Sequence, residues 1–160
     1  MSDTCPILVL GVGNLLRSDE GVGVHAARAL EPSKLPAGAK VVDAGIAVAD
    51  ALSSYKSIGK LVVVDAVDAK AEPGSVFRFR PRDVERRRAL LRSLHELDLF
   101  DALEMAERGG CTVGEVIVVG VQPKTIDWGM DLSREVRERL PDVVRLVESE
   151  LLPPGQEGEK

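Results

Sequence analysis

The run Lys60-Leu-Val-Val-Val64, closed by Asp65, constrains the fold more than any other stretch. A strand with one wet face alternates apolar and polar residues; a continuous apolar run of this length suits a strand covered on both faces of a parallel sheet. Ile7 to Leu10 and Glu115 to Gly120 (EVIVVG) share that character, and Lys40-Val41-Val42-Asp43 is a shorter version. Helical spacing fills the intervals. It runs from about Glu20 to Leu30, then over Val48, Ala51, Leu52, Tyr55 and Ile58 with Gly59 as the stop, then over Leu99, Ala102, Leu103 and Ala106 up to Gly109-Gly110. A last helix starts at Ser133 and turns Val136, Leu140, Val143, Val144, Val147 and Leu151 inward, and Pro141 within it predicts a kink because the bond to the Arg137 carbonyl is lost.

After the turn signal Pro73-Gly74, Ser75 to Phe79 reads as a more peripheral strand, and its short connection from Asp65 permits an antiparallel return at an edge. Basic Asp83 to Arg92 reads as a short helix or ordered loop, with a solvated face as its simplest use. The order β-α-β-α-β-β-α-β-α implies an α/β fold in three layers, α/β/α, around a mostly parallel five-stranded sheet with one antiparallel strand. In a doubly wound sheet strands two and three lie on opposite sides of strand one, so a crevice is expected between the carboxyl ends of strands one and three.

At 160 residues and 44% hydrophobic content the chain suffices for one domain, expected over residues 1–152, with the polar 153–160 as a disordered tail. A net charge of -5 argues against a general nucleic-acid or acidic-membrane surface, which leaves protein or small-molecule partners. No apolar run is long enough to span a bilayer and Met1 to Thr4 lacks signal-peptide regions, so a cytoplasmic location is expected. Cys5 and Cys111 have no C-x-x-C spacing and read as buried small hydrophobes.

The first strand runs into Gly11-Val12-Gly13 and a loop holding Asn14, Arg17, Ser18, Asp19 and Glu20, followed by Gly21 and Gly23. Capping of the next helix by Ser18 or Asp19 explains one acid comfortably, and two less well. A dinucleotide fingerprint starts at Gly11 and Gly13, but Leu16 stands at its third position and two acids would repel a phosphate. A cation-centred site is the stronger reading.

Glu20 and Asp65 follow strands one and three, so the topology makes them neighbours, and His95, ahead of the next helix, can reach the same edge. An imidazole with two carboxylates suits a divalent metal of borderline hardness, zinc or nickel more than calcium. For Asp65, capping the following turn is an equal alternative, and for His95 an ordinary hydrogen-bonding role is the commoner fate. Asp43 supports the site, binds substrate backbone or caps the next helix; Asp19 faces away from Glu20 or fixes the loop; His25 reads as a surface or packing residue. With no G-x-S-x-G, H-E-x-x-H or P-loop, hydrolysis by metal polarisation and water activation is the economical chemistry left.

From Ile7 to about Leu151 the chain resembles the nickel-iron hydrogenase maturation endopeptidases. GVGNLLRSDEGVGV, VVDAG, LVVVDAVDA, SLHELDL and VVGVQP carry the likeness, each weakly specific and together highly so. The resemblance implies a peptidase that removes the C-terminal extension of the hydrogenase large-subunit precursor once nickel is inserted. Glu20, Asp65 and His95 fall on the family's metal ligands, and they read nickel carried by the substrate; another divalent metal is the alternative. Asp19, Asp43 and Asn14 are supporting candidates. One stretch departs from the family's D-G-G-T or D-x-G-T: here it is Asp43-Ala44-Gly45-Ile46, which lacks the threonine hydroxyl. The rival function is a non-catalytic metal-sensing chaperone that binds the same precursor.

Overall fold

The computed structural model describes residues 4–84 and 94–152, and within them the side chains of all but residues 33, 82, 84 and 94–98. The expected tail at 153–160 and most of the basic Asp83–Arg92 segment lie outside the described residues. In chain order the elements are β1 (Thr4–Val12), α1 (Val22–Ala29), β2 (Ala39–Gly45), α2 (Val48–Ser53), β3 (Ser57–Ala66), β4 (Val76–Phe79), α3 (Pro81–Val84), α4 (Leu94–Arg108), β5 (Thr112–Val121) and α5 (Arg134–Glu150). A 3-10 turn, Ser18–Gly21, leads directly into α1.

The sheet order is β2-β1-β3-β5-β4, with every pair parallel except β4 against β5. The antiparallel edge strand is therefore present as expected, although its neighbour is β5 rather than β3. Alternate residues of the central strands feed two separate cores. Val9, Val62, Val64, Ile117 and Val119 pack with Val22 and Ala26 of α1 and Val136, Val143 and Val147 of α5. On the other face Leu8, Leu10, Leu61, Val63 and Val118 pack with Val48 and Leu52 of α2 and Leu99, Ala102 and Ala106 of α4. With α1 and α5 on one face and α2 and α4 on the other, the winding reverses between β1 and β3.

Two sequence expectations need correcting. The helix expected to run through Ile58 to a stop at Gly59 ends at Ser53, and Ile58 and Gly59 belong to β3. Strand pairing overrides the helical spacing there, since Cys5 of β1 sits opposite Ile58 and a side chain at position 59 would strike the Pro6 carbonyl at 2.7 Å. His95 is the second residue of α4, not ahead of it. Helix α5 is continuous through Pro141. Among the described residues no helix is long and apolar enough to cross a membrane.

Helix α1 lies unusually close to the sheet because glycine faces glycine. A Cβ on Gly23 would sit 2.0 Å from the Val64 carbonyl oxygen and 2.4 Å from that of Val12, and one on Gly11 would sit 2.4 Å from the Gly23 carbonyl oxygen. The obstructing atoms are backbone and cannot swing aside. Gly23→Ala is therefore expected to lower stability by about 2–3 kcal/mol, the upper part of the usual overpacking range, read as a lower urea midpoint; an unchanged midpoint would contradict the close approach.

At the C-terminal end of α5, Glu150 is buried and accepts from Lys60 Nζ of β3 at 2.9 Å and from Arg78 Nε of β4, tying the helix across the sheet. Burial pushes the Glu150 carboxyl up, but the hydrogen bonds from Arg78 and Lys60 outweigh it and hold the group below the usual carboxylate range. A lowered folded value contributes stability above the ordinary carboxylate pKa of about 4.3 and loses it as pH falls through the folded value. Glu150→Gln should cost about 1–2 kcal/mol at neutral pH. In denaturation curves across pH, that difference should close below about pH 4.

Candidate active site

The crevice forms where β1 and β3 end side by side, with Gly11 opposite Val64 and Asp65 following at once. Gly13 makes the site possible. It takes φ 129°, donates its N–H to the Gly45 carbonyl at 2.9 Å, and leaves room for the Glu20 carbonyl oxygen where a Cβ would come within 1.8 Å. The same absent Cβ would lie 3.5 Å from Asp65 Oδ1. The backbone of Glu20 and the carboxylate of Asp65 are thus both packed against one glycine.

Asp65 is 3% exposed and its Oδ1 accepts the Ala66 N–H at 2.8 Å. Glu20 keeps a partly accessible side chain, with Oε2 3.7 Å from Arg17 Nε. His95 lies in the first turn of α4, and its side chain is outside the described set. Among the residues whose side chains are described, which do not include His95, no group of three or more His, Cys, Asp or Glu is arranged to hold a metal ion. A cavity of about 570 Å³ between α4 and β5, lined by Arg80, Leu103 and Glu115 among others, does not include Glu20 or Asp65.

Asp19 and Glu20, adjacent in sequence, do different things. Asp19 is fully buried and its carboxylate accepts four hydrogen bonds, from the Lys124 N–H (2.9 Å), the Thr125 N–H (3.0 Å), and the Ser133 N–H and Oγ (both 2.8 Å). It fixes the loop, the second of the two roles anticipated for it. Neither Ser18 nor Asp19 caps a helix through its side chain: Ser18, at φ 52°, donates Oγ to the Asp127 carbonyl and its N–H to the Gly129 carbonyl, both at 2.8 Å.

The other supporting candidates are placed more locally. Asn14 Oδ1 accepts the Leu16 N–H at 2.9 Å and its carbonyl accepts the Arg17 N–H at 3.1 Å, which shapes the start of the loop. Asp43 accepts from Arg28 Nε at 3.0 Å, binding β2 to α1 at the surface. His25 is half-buried with Nε2 sealed from solvent and without a hydrogen bond.

Sequence reasoning did not single out three contributors. Arg17 donates Nε to the Ile126 carbonyl at 3.1 Å and lies 5.4 Å from the centre of the Trp128 ring. Ser133, read as a helix start, is also half of the Asp19 cluster. Gln122, buried directly after β5, accepts the Ala69 and Ala71 N–H groups and donates to Asp68 Oδ1, shaping the loop that leaves Asp65. A polar residue directly after the apolar run Val116 to Val121, as in Val121-Gln122-Pro123, was the available signal.

Fold and site together define a doubly wound α/β/α protein with two carboxylate-bearing loops at its topological switch point. The model of a family described as hydrogenase maturation protease matches residues 24–150. The hydrogenase expression/formation protein HoxM of Azotobacter vinelandii is 35% identical over 143 residues, 88% of this chain and 69% of that protein. A putative hydrogenase maturation protease of Methanocaldococcus jannaschii is 31% identical over 150 residues, 91% of this chain and 96% of that one. Among solved structures, the hydrogenase maturating endopeptidase HybD from E. coli superposes with a TM-score of 0.76 at 29% identity, covering 89% of each chain. The chain belongs to the hydrogenase maturation protease family, and its activity class is that of a peptidase.

Removing the anchor tests the loop geometry. Asp19→Asn leaves one acceptor oxygen and turns an NH2 toward donors, so stability should fall by about 3 kcal/mol, as when a charged acceptor loses its partners in a buried site. Limited proteolysis should then cut between residues 122 and 133; a variant as stable and as resistant as the parent would contradict the assignment.

Proposed function

We propose that this protein removes the C-terminal extension from the nickel-loaded precursor of a nickel-iron hydrogenase large subunit, working in the cytoplasm as one domain through residue 152. Glu20, Asp65 and His95 are the residues we assign to the site. The observation that carries the reading is the packing of Glu20 backbone and Asp65 carboxylate against Gly13 at the end of β1, within a chain of this family.

In this reading nickel arrives as part of the substrate. The metal-bearing region of the precursor enters the crevice, and the two carboxylates and the imidazole complete its coordination, so that a metal-free precursor gains no such contacts. Asp65 is almost fully buried, so the ion it holds is drawn inward, and the scissile bond is set beside it. Arg17 stands near Glu20 beforehand, but a 3.7 Å pair with a part-exposed guanidinium is worth at most about 1 kcal/mol. Exchange of that contact for metal ligation costs little. Water would then add to the scissile carbonyl, polarised by the substrate's cation or by neighbouring donors, and the C–N bond would break, with a proton from the water leaving on the amine of the released extension.

The test uses purified protein and purified precursor. Nickel-loaded precursor should shorten on a gel and release one free C-terminal peptide, while metal-free precursor stays intact. Asp65→Asn and His95→Ala should fold and lose processing by at least about a hundredfold, the scale on which a removed catalytic group acts. Full processing by both variants would remove the assignment, and stable binding without any peptide release would favour the chaperone alternative.

A further inference from the structure

Of the seven large hydrophobic side chains exposed among the described residues, four, Leu16, Ile126, Trp128 and Met130, lie on the two loops that Asp19 joins. A fifth, Ile46, follows Gly45, whose carbonyl accepts the Gly13 N–H. Exposed hydrophobics scattered singly need no explanation, but a concentration beside a site does. Trp128, the only tryptophan, is 77% exposed.

These residues are not on slack chain. The Ser18 N–H donates to the Gly129 carbonyl at 2.8 Å, the Gly129 N–H to the Leu16 carbonyl at 2.9 Å, and the Asp19 N–H to the Thr125 carbonyl at 3.0 Å. Arg17 lies over the Trp128 ring and donates to the Ile126 carbonyl. An aromatic side chain presented on backbone already ordered binds without the cost of ordering it, which is the character of an interface hot spot.

We propose that Leu16, Ile126, Trp128 and Met130 form a docking rim for an apolar surface of the large-subunit precursor next to its cleavage point, with Trp128 as the principal contact. The proposal rests on the peptidase reading above. A peptidase that cuts a protein must hold chain beside the scissile bond, and these exposed side chains stand on the loop that carries Glu20 and on the loop Asp19 ties to it. Continuity selects the occupant. Arg17 touches both the Trp128 ring and the Glu20 carboxylate, so whatever covers Trp128 sits at the approach to Glu20. A second copy seated there would close the site to its substrate.

Binding of nickel-loaded precursor and its cleavage are measured separately, for the parent chain and for Trp128→Ala. Because the side chain is exposed, the variant should keep its circular dichroism and melting temperature. It should bind at least tenfold more weakly, with KM raised in proportion and kcat within about twofold; Met130→Ser, a smaller loss on the same rim, should show about threefold. Parent-like affinity and KM in both variants would overturn the rim, as would a dimer seen by light scattering that Trp128→Ala splits. Trp128-dependent binding without cleavage by the parent chain would uphold the rim and sink the peptidase reading. Cleavage with a KM indifferent to Trp128 would do the reverse.

Discussion

The carboxylate of Asp19 holds together two segments more than a hundred residues apart in sequence. Without its four hydrogen bonds, the amides of Lys124, Thr125 and Ser133 would face a buried space with no acceptor, a cost of a few kcal/mol. Glu20 is the next residue, so the position of that loop is also the position of a proposed ligand. Pairs of adjacent acids usually repel; here one is consumed by structure and the other keeps its accessibility.

A second constraint works beneath it. Glycines at 11, 13 and 23 remove the side chains that would separate α1 from β1 and β3, and the backbone of Glu20 drops onto Gly13 as a result. Asp65 reaches the same place from β3, because β1 and β3 pair in parallel and end together. Topology brings the two carboxylate loops to one edge, and missing Cβ atoms bring them into contact. Gly23 does for this helix what the last glycine of a dinucleotide fingerprint does, though the loop between binds no phosphate in our account.

Much of this was legible from residues alone. Continuous apolar runs such as KLVVV named the buried strands, and the winding order then located the crevice at the ends of β1 and β3, where the structure has it. Local spacing misled where strand pairing took over: Ile58 fits a helical face by count, yet Cys5 across the sheet claims it. The partner of β4 was also hidden, since a short connection from Asp65 does not say which sheet edge lies nearest. In the site, the separate duties of Asp19 and Glu20 were foreseen as a possibility, but the donors were not. Main-chain amides of Lys124 and Thr125 leave no mark in the sequence, and Ser133 looks like any helix start. Arg17 and Trp128 meet across a long separation that no periodicity encodes.

The central claim is that Glu20, Asp65 and His95 touch the nickel that the precursor carries. Nickel-edge X-ray absorption reads this directly on a rapidly frozen mixture of protein and loaded precursor. The account predicts light-atom oxygen and nitrogen ligands added to the metal on mixing, with the nitrogen scattering of the imidazole missing when His95→Ala replaces the parent chain. A nickel spectrum identical before and after mixing, at concentrations where the two proteins are bound, would contradict it.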